Sequence, residues 1–172
     1  MPRTSPKKTM SYEVRRSPVD GSGLFAKRAI AKGERIIEYV GERISHEEAD
    51  RRHDQKAEGD HHTFFFTVDA KTVIDGGVRG NDARFINHGC DPNCEVVAVD
   101  GVLVVEAVRN VRRGEELAYE YNLSRAPDDP PDIEKVYACR CGAATCRGTM
   151  LVPRKAPKKK AKPAASKART KR

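Results

Sequence analysis

The chain has 172 residues, with 33 lysines and arginines against 25 aspartates and glutamates, and a formal net charge of +8. This length fits one domain with extensions and excludes two full-sized domains, since a single core most often takes about 100 to 150 residues. No run of about 18 apolar residues occurs, and MPRTSPKKTM lacks the apolar stretch of a secretory signal, so we expect a soluble, intracellular protein without membrane contact.

Short strands dominate the predicted body, which follows a flexible basic N-terminus at residues 1–11. Runs of β-branched and aromatic residues predict, in chain order, strands at residues 35–40, 63–68, 95–99, 102–107 and 117–121. Between the first two lies the one predicted helix, SHEEADRRHDQKA, where Ser45 and Glu48 have capping-box spacing. Asp100-Gly101 predicts a hairpin turn. The fold class is therefore mainly β with one inserted helix.

Three cysteines near the end of the body, in the pattern C-x-C-x4-C, predict a zinc knuckle: Cys139, Cys141 and Cys146. In an intracellular chain, cysteines favour a metal site over disulfides. Structural zinc takes four protein ligands, so one must come from elsewhere. The available side chains are the thiols Cys90 and Cys94, His88 and neighbouring histidines, and spacing leaves the choice open. The alternative is a set of buried cysteines without metal. Zinc would fold the segment after Tyr121 back over the Asn-His segment as a lid.

The C-terminal tail, residues 153–172, is rich in lysine, alanine and proline. We predict that it is disordered, because without apolar periodicity it cannot bury enough surface to offset its ordering entropy. Residues 154–172 hold ten basic side chains and residues 1–9 three more, which leaves 20 basic and 25 acidic side chains, a net charge of −5, in residues 10–153. The tail is either a solvated or targeting segment or a nucleic-acid-binding one, and the acidic body suits a basic substrate.

Four segments together resemble a known protein family. They are GSGLFA (residues 21–26), RFINHGCDPNC (84–94), GEELAYEY (114–121) and the C-x-C-x4-C motif. Their order and spacing resemble those of SET-domain protein-lysine methyltransferases with a post-SET zinc motif. The resemblance implies a SET domain at residues 12–123 and a linker with the zinc motif at residues 124–152. It also implies the SET fold, in which small β-sheets surround a pseudoknot formed where the Asn-His segment threads beneath a loop.

The resemblance implies that the protein uses S-adenosylmethionine. The positions that match the family's cofactor site are Gly21, Ser22, Gly23, Leu24, Arg84, Asn87 and His88, with Met150 and Leu151 over the adenine. Glycines in the first segment let the backbone approach the ligand closely. Considered alone, an Asn-His pair is typical of an ordinary loop cap.

The same resemblance implies the catalytic and metal-binding side chains. Tyr121 matches the catalytic tyrosine, and Tyr119 matches the Phe/Tyr switch position that influences how many methyl groups are added. The expected walls of the lysine channel are Tyr39, Phe64, Phe65 and Phe66. A run of phenylalanines is also typical of a plain strand core. Cys90 resembles the fourth zinc ligand, which leaves Cys94 as a free thiol.

Two residues depart from the family pattern. Phe64 stands where many members have a tyrosine, so one hydroxyl that would orient the amine is missing. Gly89 replaces the usual serine after Asn-His, which implies the loss of a local hydrogen bond. Because of these two departures, the resemblance alone does not determine the substrate or the number of methyl groups added. Under the family's switch rule, Tyr119 favours mono- or dimethylation.

Methyl transfer from a sulfonium requires a neutral amine as the nucleophile. A free lysine has a pKa of about 10.4 and is mostly protonated at neutral pH. A dry channel that ends at a positive sulfonium lowers this pKa through desolvation and like-charge repulsion. No metal takes part in such a step, so the expected zinc is structural.

We consider two functions. The first is a lysine methyltransferase that acts on a basic protein, a histone or a histone-like protein. Its own tail resembles such a substrate, which raises the hypothesis of automethylation. The second is a catalytically weak SET-like scaffold that binds DNA or chromatin through the tail. The expected compartment is a bacterial cytoplasm with nucleoid or a eukaryotic nucleus, and the oligomeric state stays open.

Overall fold

The computed structural model of the chain describes residues 10–56, 63–125 and 129–153. Its strands, in chain order, are β1 (Tyr12–Arg16), β2 (Ser22–Ala26), β3 (Arg35–Glu38), β4 (Glu42–Ile44), β5 (Phe65–Thr67), β6 (Val73–Asp75), β7 (Asn87–His88), β8 (Cys94–Val99), β9 (Val102–Ala107) and β10 (Ala118–Tyr119). The helices are α1 (His46–Asp54), a 3-10 helix (Asp82–Phe85) and α2 (Ile133–Val136). The mainly β prediction is confirmed. The tail predicted to be disordered lies, apart from Pro153, outside the described residues, as do residues 1–9 of the N-terminus.

The strands form four small sheets. β1 and β2 pair antiparallel, and β3-β9-β8 and β4-β6-β5 are three-stranded antiparallel sheets. The fourth sheet contains only β7 and β10, which run parallel. At the β8–β9 hairpin, Asp100 and Gly101 both have positive φ, 51° and 78°, as a type I′ turn requires. The predicted hairpin is therefore confirmed.

Helix α1 is fixed at its start and along one side. The Ser45 hydroxyl accepts a hydrogen bond from the Glu48 amide at 3.1 Å, so the predicted N-cap is confirmed. The side chain of Arg52 donates to Glu42 of β4 at 2.8 Å and to Asp75 of β6 at 2.7 Å. These contacts fasten the helix to the β4-β6-β5 sheet. No helix in the described ranges is long and apolar enough to cross a membrane.

Two groups of buried side chains form the core. The larger group contains Leu24, Ile86, Val105 and Leu117, all nearly inaccessible, together with Tyr119. The smaller group contains Tyr39, Ile74, Ala83 and Leu103. Phe66 is half-buried and packs against both. Of the residues predicted to line a lysine channel, Tyr39 therefore belongs to the smaller group, and Phe66 lies where the two groups meet.

Several elements differ from the sequence-based expectations. Strands β1, β2, β4, β6 and β7 were not predicted, and residues 63–68 and 117–121 contribute only three and two strand residues. The short helix α2 was not predicted either. The unpredicted strands have five residues or fewer, too few to establish a period of two, so their pairing depends on tertiary contacts.

Candidate functional site

The parallel pair β7–β10 brings two distant motifs together. Asn87 lies opposite Ala118 and His88 opposite Tyr119, and the Gly89 amide donates to the Tyr119 carbonyl at 3.1 Å. The Asn-His segment thus runs beside the strand that leads to Tyr121, as the predicted pseudoknot requires.

The same pairing gives Gly89 a physical explanation. A Cβ atom at this position would lie 2.9 Å from the Cβ atom of Ala118. Contacts this close force a shift of one neighbour. In this chain, therefore, the methyl group of Ala118 occupies the space that a side chain at position 89 would need.

Tyr121, the predicted catalytic tyrosine, is held by two hydrogen bonds. Its hydroxyl donates to the Ile86 carbonyl at 2.8 Å, and its amide donates to Nδ1 of His88 at 3.2 Å. Loss of solvation raises the pKa of the phenol, and the nearby Tyr39 adds to this effect. Tyr121 is therefore a neutral phenol at physiological pH, with a fixed proton and lone pairs left to accept.

A row of aromatic rings leads to Tyr121. Ring centroids are 5.1 Å apart for Tyr39 and Phe66, 6.1 Å for Phe66 and Tyr119, and 5.2 Å for Tyr119 and Tyr121. The Tyr39 hydroxyl donates to the Phe64 carbonyl at 3.0 Å. The structure therefore brings two of the four predicted channel residues together with both predicted catalytic tyrosines. We call the rings of Tyr39, Phe66, Tyr119 and Tyr121 the aromatic row.

The other two predicted channel residues have different surroundings. The Phe64 ring packs edge-on against Phe85 at 6.1 Å, and the Arg84 guanidinium lies 5.8 Å from the Phe64 ring centroid. Phe65 precedes Phe66 on β5, and successive side chains of a strand point to opposite faces. Phe65 therefore faces away from the aromatic row.

Arg84 combines stacking with an unpaired donor. Its guanidinium lies 4.6 Å from the centroid of the Phe85 ring and donates through Nη1 to the Gly76 carbonyl at 3.3 Å. Its Nε–H is buried, with no partner among the described residues. A buried N–H without an acceptor is costly, so this atom is suited to an acceptor supplied by a bound ligand.

Asn87 joins the predicted cofactor loop to β7. Its Nδ2 lies 3.2 Å from the Asp20 carbonyl, 3.1 Å from the Ser22 carbonyl and 2.9 Å from Oε1 of Glu116. Gly21 adopts a left-handed φ of +41°, which an L side chain rarely tolerates. Gly21 and the first residues of β2 therefore adjoin Asn87, as the resemblance implies, whereas Leu24, also predicted to contact the cofactor, is fully buried in the larger core group.

Glu116 is a site residue that the sequence analysis missed. Its Oε1 accepts from the Ser17 hydroxyl at 2.7 Å, in addition to Asn87. A Cβ atom at position 23 would overlap this oxygen, so the position of Glu116 requires glycine at residue 23. The available signal was the GEEL segment, in which a glutamate directly precedes a fully buried leucine.

His88 is 3% exposed and lies between the tyrosine strand and the cysteines. Because Nδ1 accepts from the Tyr121 amide, the ring proton belongs on Nε2, which is 3.4 Å from Sγ of Cys90. Burial lowers the pKa of His88, although Glu120 acts in the opposite direction. A neutral His88 therefore points its N–H towards the Cys90 sulfur.

Four cysteines converge into a candidate metal centre. The sulfurs of Cys90, Cys139, Cys141 and Cys146 all lie within 4.8 Å of one another. Those of Cys90 and Cys139 are 3.7 Å apart, close to the edge of about 3.8 Å expected for a tetrahedron with Zn–S bonds of about 2.3 Å. Burial opposes ionisation of Cys141, but hydrogen bonds from backbone amides and from the side chains of Cys139 and Cys146 outweigh it and lower its pKa to about 7. The donor set and spacing fit zinc.

Cys94 does not belong to this cluster. It is 1% exposed in the larger core group, and burial raises its pKa to about 12. Of the candidates for a fourth ligand, Cys90 alone among the described residues joins the other three sulfurs, and Cys94 is the free thiol.

The knuckle is attached to the chain that follows Tyr121. Arg147 donates from both terminal nitrogens to the two carboxylate oxygens of Glu120, each at 2.8 Å. Leu151 is buried next to Leu123, and the Val152 amide donates to the Leu123 carbonyl at 2.9 Å. Met150 remains half-buried. The segment predicted to cover the cofactor therefore lies directly beside the chain just after Tyr121.

Comparison with known proteins agrees with this arrangement. Residues 21–122 match the family model of the SET domain. The chain belongs to the SET domain family.

The SET relatives found include three fungal proteins, each named histone-lysine N-methyltransferase, H3 lysine-4 specific. The protein of Saccharomyces cerevisiae is 43% identical over 138 residues, which cover 77% of this chain and 12% of the relative. Those of Emericella nidulans and Eremothecium gossypii are 41% and 40% identical, over 77% and 84% of this chain and 11% and 15% of theirs. This SET chain therefore spans less than a sixth of the length of these relatives.

Proposed function

We propose that this SET chain is a protein-lysine N-methyltransferase that transfers a methyl group from S-adenosylmethionine to a lysine of a basic protein. The observation that carries the proposal is the Tyr121 hydroxyl, fixed by the Ile86 carbonyl at the end of the aromatic row. The names of the SET relatives support the reaction class.

S-adenosylmethionine, when bound, supplies a methyl group activated by a positive sulfonium. The residues that would hold it are Gly21 and the start of β2 up to Leu24, Arg84, Asn87 and the backbone of His88, with Met150 and Leu151 beside the adenine. The buried, unpaired Nε–H of Arg84 fits an acceptor on such a ligand. Asn87 would act by fixing the loop as well as by direct contact, because its amide already reaches two loop carbonyls.

The aromatic row suits a lysine that must lose its proton. Aromatic walls bury the aliphatic stem and offer the ammonium no carboxylate partner. Burial raises the pKa of Tyr39 and Tyr119 as it does that of Tyr121. The phenols therefore stay neutral, and the amine is favoured in its neutral, nucleophilic form. Tyr121 would accept a hydrogen bond from this amine and orient it.

The proposed zinc is structural. Its four ligands would be the thiolates Cys90, Cys139, Cys141 and Cys146. A site with four protein ligands leaves no position for water or substrate. Zinc therefore contributes by folding the chain, and methyl transfer belongs to the aromatic row.

A histone or histone-like protein is the proposed substrate class. The acidic body, with a net charge of −5 at residues 10–153, favours a lysine-rich segment. The fungal relatives are named as histone H3 methyltransferases, which favours chromatin over a bacterial nucleoid as the setting. Automethylation and nucleic-acid binding by the tail remain proposals, since residues 154–172 lie outside the described residues.

The test is methyl transfer from labelled S-adenosylmethionine to a panel of basic proteins and histone tails, followed by mass spectrometry. We expect Tyr121→Phe to lower turnover by about a hundredfold through misplacement of the amine, with cofactor affinity unchanged. Tyr12→Phe, on β1, is the control that keeps full activity. Cofactor binding without transfer to any substrate would contradict the proposal and favour the scaffold function.

A further inference from the structure

The position of Tyr121 is weakly determined by the sheet. Strand β10 ends at Tyr119, two residues earlier, and Asn122 adopts a left-handed φ of 53° directly afterwards. The Tyr121 amide bonds to a side chain, Nδ1 of His88, instead of to a neighbouring strand. Side-chain contacts must therefore hold the backbone at this point.

Those contacts come from the cysteine knuckle. Glu120, between the two tyrosines, receives both terminal nitrogens of Arg147 at 2.8 Å each. Arg147 directly follows the last cysteine of the knuckle. The two side chains are 24% and 29% exposed, so the pair is only partly screened by water. A two-pronged arginine–carboxylate pair fixes direction as well as distance.

A second chain of contacts runs from the same residue. The backbone amide of Arg147 donates to Sγ of Cys90 at 3.5 Å. This sulfur faces Nε2 of His88 at 3.4 Å, and Nδ1 of His88 lies 3.6 Å from Oε1 of Glu120. The knuckle thus touches both groups that flank the Tyr121 backbone, His88 on one side and Glu120 on the other.

We propose that Glu120 and Arg147 are positioning residues, through which the folded knuckle sets the place of Tyr121. This inference rests on the proposed function, because it treats Tyr121 as the residue that orients the amine. Loss of either partner frees the backbone between Tyr119 and Asn122 while the four thiolates keep their geometry. Turnover then falls although zinc and cofactor remain bound.

The experiment compares Arg147→Gln, Glu120→Gln and the double variant with the wild type. We expect kcat at saturating S-adenosylmethionine to fall by about tenfold in each single variant, with zinc content and cofactor Kd unchanged. The double variant should fall no further, because both substitutions remove the same interaction. Arg147→Lys, which keeps the charge but loses the fork, should give an intermediate kcat.

Hydrogen exchange gives a readout that does not need activity. The Tyr121 amide should exchange faster in Arg147→Gln and Glu120→Gln than in the wild type. The matched control is Arg28→Gln, which removes another two-pronged pair, with Glu34, far from Tyr121 in sequence and on an exposed surface. It should change neither exchange at Tyr121 nor kcat.

Three outcomes would overturn the coupling: unchanged kcat and exchange, additive losses in the double variant, or loss of zinc from the single variants. An inactive wild type with faster exchange at Tyr121 in the variants would instead retain the coupling and reject the methyltransferase proposal.

Discussion

Gly23 and Glu116 share one small space beside Asn87. A Cβ atom at position 23 would overlap Oε1 of Glu116 and lie 3.1 Å from Cβ of Ser17. The carboxylate cannot move aside freely, because it accepts hydrogen bonds from Ser17 and Asn87 at 2.7 and 2.9 Å. The start of β2, which we propose contacts the cofactor, is therefore held in place by Ser17, Asn87 and Glu116 without a ligand.

Gly23→Ala should accordingly destabilise the protein and weaken cofactor binding. We expect a loss of about 1–3 kcal/mol in the free energy of unfolding, the usual cost of inserting a methyl group into a filled space. Adding Glu116→Ala should restore much of this stability by removing the overlap, but not cofactor affinity, since Asn87 loses its partner. Urea unfolding and calorimetric titration with S-adenosylmethionine measure the two effects. An unchanged free energy of unfolding in Gly23→Ala would show that the backbone around residue 23 shifts to accommodate the methyl group.

At the scale of a secondary-structure element, the stability of helix α1 depends on ion pairs. The carboxylate of Glu48 accepts from Arg51 and Arg52 at 2.7 and 2.8 Å. Hydrogen bonds from these two guanidinium groups lower the pKa of Glu48 from 4.5 to about 2. Because the pKa is lower in the folded state, Glu48 stabilises the protein above about pH 4.5, and this contribution is lost as the pH falls towards 2.

Glu48→Gln should remove this pH dependence. The variant should be less stable than the wild type at neutral pH, and the difference should shrink steadily below about pH 4.5. Urea unfolding at several pH values measures it, with the exposed neighbour Glu47→Gln as the control. A constant difference from neutral pH to about pH 2 would show that the ion pairs with Arg51 and Arg52 do not account for it.

Strand pairings differ in how well the sequence predicts them. The β8–β9 hairpin was predictable, because six-residue strands with apolar runs flank Asp100-Gly101, whose conformation is local. The parallel pair β7–β10 has only two residues on each side, so no periodicity indicates it, and only the family resemblance pointed to that contact. The resemblance likewise supplied the site residues Asn87, Tyr121 and Cys90.

What the sequence missed at the site is the set of charged residues that support these groups. Glu116 and Glu120 flank the short strand β10 within a recognised motif, yet most glutamates in proteins are exposed to solvent. Their partners, Ser17 and Arg147, are 99 and 27 residues away. Such pairings depend on the folded chain and leave no local pattern to detect.

At the scale of the whole molecule, the cysteine cluster joins two distant parts of the chain. Cys90 and Cys139 are 49 residues apart in sequence, and their sulfurs are 3.7 Å apart. Four thiolates placed so closely repel one another unless a cation or protons neutralise them. Folding of the segment after Tyr121 should therefore be linked to zinc, and with it the contacts of Arg147.

Two cysteine variants separate this role from simple packing. Cys90→Ala should lose zinc and most methyl transfer, because it removes one of four ligands and the sulfur that faces His88. Cys94→Ala should keep one zinc per chain and lose only about 1 kcal/mol of stability, the cost of a small cavity in the core. Metal analysis of the purified proteins, together with kcat and urea unfolding, measures each expectation. Zinc retained by Cys90→Ala but lost from Cys94→Ala would reverse the ligand assignment.

Chelation of zinc from the wild type should reproduce the Cys90→Ala phenotype. Activity that survives complete removal of zinc would show that the reaction does not depend on the knuckle.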